Sequence, residues 1–189
     1  MASNEIRLIT TTDNVKMIAV LDDNIAENYL RAAIMEAQEV GLRGILGSAL
    51  LDAIKAKIAA GTLAGAYAVL VNTYCVFYLA YATKAELLPK VAYKASNAGV
   101  VKAQTEGYVA ATAAEIEAEV ARAQAKADYY GYAMQKWLRV HAAEVPELTQ
   151  RDCDRINACL RSADNLCPID LGGARGAWNG RDLWENLEN

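Results

Sequence analysis

His141 is the single histidine of the chain and the first candidate for proton transfer. A general base needs an orienting partner and a nucleophile within reach. The nearest obvious carboxylate, Glu144, lies three residues along the same helical pattern, so His141 reads as a helix-terminal imidazole suited to the negative end of the helix dipole. Cys153, Cys159 and Cys167 could offer thiolates to a metal, but their spacings match neither C-x-x-C nor a familiar zinc pattern. Cys75 stands alone in an apolar run and reads as a small core residue. Gly172-Gly173-Ala174-Arg175-Gly176 lacks the lysine and the preceding strand of a phosphate loop. Glu115 to Glu119 alternates as cap and surface charge, without paired carboxylates against apolar walls. These residues assemble no reaction centre. The chain is therefore not read as an enzyme, and no catalytic residue, cofactor or metal ligand is assigned.

The elements that position these residues follow from composition. Of 189 residues, 54% are hydrophobic and 22% charged, enough apolar mass for one core but not for two large domains. Thirty-seven alanines against three prolines and one phenylalanine favour helices and argue against a sandwich or barrel. The net charge is −4 and no basic cluster is long enough to track a phosphate backbone, which argues against nucleic-acid binding. Met1 to Glu5 lacks the features of a signal peptide, so the cysteines are expected as thiols in a reducing compartment.

Residues 58–83 form a run of 26 without charge, longer than the roughly 18 apolar residues that flag a membrane span. Gly61, Thr62, Gly65, Asn72 and Thr73 interrupt it, and Tyr67, Tyr74, Tyr78 and Tyr81 are spread along it instead of gathering at two interfaces. Tyrosine hydroxyls at mid-depth want partners that lipid does not supply. The run is expected as a central buried helix, with a membrane span as the alternative.

Along the chain, Ile6 to Thr10 reads as an extended arm followed by a turn at residues 11–14. Asp22 or Asp23 is expected to cap a helix running to about Val40, with Ile25, Tyr29, Ala32, Ala33 and Ala37 on one face, broken by Gly41, Gly44 and Gly47. Ser48 opens a second helix with Leu50, Leu51, Ile54 and Ile58 as its stripe, and Gly61 closes it. The charge-free helix is predicted to start near Thr62 or Leu63 and to end near Leu88, before Pro89. A short hairpin or loop near 95–110 includes Val100 to Ala103 as one strand. Thr112 and Glu115 then form a capping box for a long helix whose apolar residues recur from Ile116 through Val120, Ala123, Ala127, Tyr130, Met134, Trp137 and Leu138 to His141. After Thr149 the chain turns polar, and a glycine-rich stretch leads to Trp178 and Trp184. Tryptophans in such a tail suit docking on another chain, with folding back onto their own helices as the alternative. The expectation is a mainly α protein: an arm at 1–20, a bundle of about four main helices over 21–148, and an extended C-terminal tail at 149–189.

The Asp-capped run Asp22 to Ala33, behind a short arm and before a second helix ending in glycine, resembles the head-to-tail connector or adaptor proteins of tailed bacteriophages. The Tyr-rich helix running into residues 87–94, then Asn97 to Val101, then the long helix carrying Ala127 to Tyr132 and closing at Glu147-Leu148, is similar to the neck ring proteins of crAss-like gut phages. The similarity covers residues 1 to about 148, and the tail after Thr149 matches no pattern. The resemblance implies a structural virion protein made in the host cytoplasm. Its copies would form a ring, typically of twelve, beneath the portal protein at the neck, and hand the channel to the next neck or tail protein. DNA would pass through without sequence-specific binding. In that setting Ile6, Leu8 and Ile9 become a segment available for strand addition, and Trp178 and Trp184 become partner anchors. No membrane is involved in this reading.

Overall fold

The computed structural model describes residues 7–96, 99–102, 112–148, 152 and 156. Thr11 is extended, and its Oγ1 accepts from the Asn14 N–H, capping α1 (Thr12–Ala19) where the polar run 11–14 predicts a turn. Threonine and asparagine serve a cap as readily as a turn, because both use the same side-chain-to-backbone bond. Asp22 Oδ1 accepts from the Asn24 N–H at 2.7 Å, so Asp22 shapes the connecting turn and does not cap α2 (Glu27–Glu36), which starts at Ala26 without a side-chain cap. The buried face of α2 is Leu30, Ala33 and Ile34, while Tyr29 is exposed; these three join Val15 and Leu87 in the smaller of two cores.

The predicted break at Gly41 and Gly44 does not occur. A π-helical segment, π1 (Ala37–Leu42), runs directly into α3 (Arg43–Leu46), and the helix stops only at Gly47, whose φ of 81° favours glycine. Close packing accounts for a glycine at this helical position, since a Cβ at Gly41 would stand 2.4 Å from the Tyr78 hydroxyl. Helix propensity alone penalises glycine by only about 1 kcal/mol, which packing readily overrides.

Gln38 on π1 is fully buried and fastens the N-terminal segment. Its Oε1 accepts from the Ile9 N–H at 2.8 Å, and its Nε2 donates to the Arg7 carbonyl at 3.0 Å. Ile9 is buried in the main core and Leu8 packs on the smaller one. The Ile9 N–H and the Arg7 carbonyl, two of the groups that strand addition would use, are therefore taken, and with Ile9 buried this corrects the expectation for Ile9, while Leu8 is half-buried. Ile6 lies outside the described residues. With α1 packed on α6, introduced below, residues 7–19 are part of the bundle and not a free arm.

α4 (Ser48–Ala59) buries Leu50, Leu51 and Ile54 with Ile58 beside them, as its stripe predicts, and Gly61 follows at φ 65°. A continuous helix then covers Gly65–Ala92, built from α5 (Gly65–Val69), π2 (Leu70–Cys75) and α6 (Val76–Ala92). It starts a turn later than predicted and passes through Pro89 instead of stopping before it. Proline removes one i to i−4 hydrogen bond, but here only three residues of helix follow. Leu87 is buried, and Lys90 pairs with Glu36 of α2 and with Glu86, which holds the last turn in place.

β1 (Tyr93–Ser96) and β2 (Gly99–Lys102) pair antiparallel with Tyr93 opposite Lys102, so Val100 to Lys102 belong to one strand of a hairpin. The capping box then forms as expected: the Glu115 N–H donates to Thr112 Oγ1 at 3.2 Å, and the Thr112 N–H donates to Glu115 Oε2 at 2.7 Å. It opens α7 (Ala113–Val140), 28 residues and roughly 42 Å long. Ala123, Ala127, Gly131, Met134 and Leu138 form its buried line. Helix α7 lies along α6, whose other sides receive α1, α2 and π1. The protein is thus a mainly α bundle around the Gly65–Ala92 helix. Val145, Leu148 and Ile156 are buried in the main core, so the packed chain reaches 156, beyond the boundary expected at 148.

A four-charge cluster ties π1 to α4. Arg43 pairs with Glu39 at 2.6 Å and with Asp52 at 3.2 Å, and Lys55 pairs with Glu39. Burial alone would raise the Glu39 carboxyl. Hydrogen bonds from Lys55, Gln38 and Arg43, together with the Lys55 charge, outweigh it and lower the carboxyl from its ordinary 4.5 to about 2. A carboxylate lowered in the folded state adds stability that is fully present above its unfolded value and is lost as pH falls through the folded one. Stability should therefore drop between about pH 4.5 and 2, and Glu39→Gln should flatten that part of the profile, as read from urea midpoints taken from neutral pH downward. Gly41→Ala should cost about 1–3 kcal/mol through overpacking against Tyr78. Tyr78→Phe removes a hydroxyl that has no hydrogen-bond partner among the described residues and should change stability by less than about 1 kcal/mol. The double variant should recover most of the Gly41→Ala loss in the same denaturation measurement.

Candidate functional site

An open concavity lies along the α6–α7 pair. On α6, Phe77, Tyr81 and Lys84 follow one another at four- and three-residue steps, the spacing of a single helix face. On α7, Glu119, Arg122, Lys126 and the pair Tyr129-Tyr130 face them. The ring of Tyr130 stacks on Phe77 at 5.1 Å and on Tyr81 at 5.9 Å, each at 16°, while Tyr129 meets Tyr130 edge-on at 5.2 Å. Lys126 Nζ stands 5.0 Å above the Tyr81 ring, a cation held by the negative face of the aromatic. Glu119 bridges Lys84 at 3.8 Å and Arg122. Tyr81, Lys84, Glu119, Arg122, Lys126, Tyr129 and Tyr130 line an open groove of about 640 Å³, with Phe77 stacked behind Tyr130.

Burial pushes the Tyr130 phenol up, and the neighbouring Tyr81 and Tyr129 phenols add to the shift. A raised phenol stays protonated and neutral at pH 7. The groove therefore offers aromatic faces, hydroxyls and cations.

A second, smaller and partly open space of about 40 Å³ lies between Tyr78, Gly41, Glu36, Glu86 and Asp128. Burial pushes the Tyr78 phenol up, with the Asp128 and Glu86 charges adding to it, and burial also raises the Asp128 carboxyl. The space suits about one water and is too small for a substrate.

His141 caps the C-terminus of α7, as its position predicts. It stacks on Trp137 at 4.4 Å, and its Nδ1 lies 2.7 Å from Glu144 Oε1. Trp137 in turn meets Tyr74 at 6.1 Å, so the imidazole extends an aromatic stack. Nearby, Tyr67 bonds to Glu147 and carries Lys57 Nζ 4.3 Å above its ring. Burial, the Glu147 hydrogen bond and the Glu147 charge push the Tyr67 phenol up to about 12. Cys75 is fully buried, and burial pushes its thiol up, away from the thiolate that would react. Among the described residues no group of three His, Cys, Asp or Glu side chains is placed to hold a metal. Cys153, Cys159, Cys167, Trp178 and Trp184 lie outside the described residues.

The tyrosine groove was not read from sequence. Its residues do carry a signal, because Arg122, Lys126 and Tyr130 recur at four-residue steps, as do Phe77 and Tyr81. What the pattern lacks is the adjacency of α6 and α7 that brings the two lines together.

A family described as "Family of unknown function (DUF6712)" matches residues 42–156, more than half of the chain. The chain belongs to this family. No curated protein and no solved structure matches it. The DUF6712 region begins at the last residue of π1 and ends at Ile156, the last buried residue described. It therefore contains the tyrosine groove and the α6–α7 pair, and leaves out α1, α2 and residues 157–189.

Within the DUF6712 groove, Tyr130 is the ring on which the other three converge. Tyr130→Ala should destabilise the fold by about 2–3 kcal/mol through lost burial and lost ring pairs. Tyr132→Ala, at an exposed neighbouring position, should stay within about 0.5 kcal/mol. Guanidinium unfolding midpoints of the two variants check the contrast.

Proposed function

We propose that this chain is a structural virion protein, a head-to-tail connector or adaptor whose copies form a ring under the portal and join capsid to tail around the DNA channel. The observation that carries the reading is the open, tyrosine-lined and charge-rimmed groove on the α6–α7 pair. Aromatic faces beside cations are what protein interfaces use at their centres, and the groove is built on the two longest helices, which makes a rigid surface for repeated contacts. The resemblance of residues 22–33 and 87–148 to connector and neck ring proteins supplies the setting. The net charge of −4 supports a channel component that does not grip DNA. Its partners are then further copies, the portal protein and the next neck or tail protein, and it performs no catalysis.

A second reading has its own observation. The Gly65–Ala92 helix is long and apolar enough to cross a membrane by length and composition. Its packing against α1, α2, π1 and α7 favours a bundle core. Purified full-length chain, examined by sedimentation and electron microscopy alone and with its portal, should give closed rings, typically of twelve copies. Single copies under both conditions would overturn the connector reading, and recovery only in detergent would favour the membrane-inserted one.

A further inference from the structure

We propose that the tyrosine groove of one copy receives residues 178–189 of a neighbouring copy, an inference that rests on the ring reading and names the contact that closes it. Charge is the first reason. Lys84, Arg122 and Lys126 against Glu119 leave the groove at +2, whereas residues 178–189 carry Asp182, Glu185 and Glu188 against Arg181, a balance of −2. Complementary signs steer association and disfavour wrong partners. Chemistry is the second. The same twelve residues hold Trp178, Leu183, Trp184 and Leu187, and tryptophan and tyrosine are among the residues enriched at interface hot spots.

The exit of the chain leaves the groove of a neighbouring copy within reach. A Cβ at Gly131 would lie 3.2 Å from Ile45 Cδ1, so that side of α7 faces α3. From α3 the chain reaches Gly47, where Asp152 packs, and Ile156 is buried in the same core. At about 100° per residue, Arg122 and Tyr129 fall on the side of α7 opposite Gly131. Asp152 therefore lies on the α3 side of α7, across that helix from Arg122 and Tyr129. The twenty-one residues 157–177 span at most roughly 70 Å, enough to reach an adjacent protomer in a ring.

The test uses the full-length chain with benzoylphenylalanine in place of Trp184, and separately in place of Asn186, which keeps both tryptophans. Irradiation should yield a covalent two-copy product that mass spectrometry maps to residues 77–84 or 119–130. Arg122→Glu combined with Lys126→Glu should lower its yield at least about tenfold, since like charges then face each other, and Glu185→Lys combined with Glu188→Lys should restore it. Circular dichroism confirms that these surface variants remain helical. Links confined to one copy, links mapped elsewhere, or a yield indifferent to the charge reversal would overturn the proposal. Rings in the micrographs without the two-copy product would overturn this proposal alone. Single copies in the micrographs without that product would remove the ring reading and this one together.

Discussion

Tyr78 sits where three helices meet, and the bundle is arranged around the room its ring requires. The side chain is almost fully buried, with its hydroxyl against Gly41 of π1 and its ring edge against Gly131 of α7. A Cβ at Gly41 would collide with the hydroxyl at 2.4 Å, while one at Gly131 would touch the ring at 3.5 Å and be crowded by Ile45 at 3.2 Å. An aromatic ring wedged between two glycines fixes how far α6 stands from both neighbours, because protein interiors pack at crystal-like density and do not flow to fill a mismatch. The π1 turn belongs to the same constraint. A π-helical segment shifts the faces that a helix presents, and here it turns Gly41 toward Tyr78, Gln38 toward the N-terminal segment, and Glu39 toward Lys55 of α4. One local irregularity thereby fastens three parts of the chain.

The approach of α6 and α7 has a second consequence. Small residues on the buried line of α7, Ala123, Ala127 and Gly131, allow the two helices to lie close. Larger groups are displaced to the flanks, where Phe77, Tyr81, Tyr129 and Tyr130 stack among themselves. The groove is thus a product of alanine-rich packing: the seam is thin and its margin is aromatic. Such a margin, stiffened by ring stacking and rimmed by Lys84, Arg122 and Lys126, is suited to a partner with apolar rings and acidic charge. The proposed ring and tail exchange draw on this one surface, while the imidazole of His141 and the thiol of Cys75 serve as packing groups at a helix end and in the core.

Much of the helical plan was legible in the chain. Thr112 and Glu115 announce α7 because a capping box is a local arrangement of four residues. The stripe of α4 and its stop at Gly61 are equally local. The errors cluster where distant contacts override local preference. Gly41 and Gly44 have the composition of a helix end, yet the helix continues to Leu46, and Gly41 gives room to the Tyr78 hydroxyl. Pro89 reads as a stop, yet α6 passes through it because Leu87 and Lys90 are held by α1 and α2. Ile9 reads as half of a free strand, yet its N–H is taken by Gln38, 29 positions away.

The sequence by itself determined the helical class, the positions of α4 and α7 and the packing role of His141, since alanine content, caps and three-to-four-residue periodicity act over a few neighbours. Only the tertiary structure decided that α6 and α7 lie side by side, that two glycines face one tyrosine, and that Tyr81, Lys126 and Tyr130 form one surface. Those facts depend on which helices meet and at what distance, and that is set by side-chain volumes from segments tens of residues apart, which no local pattern encodes.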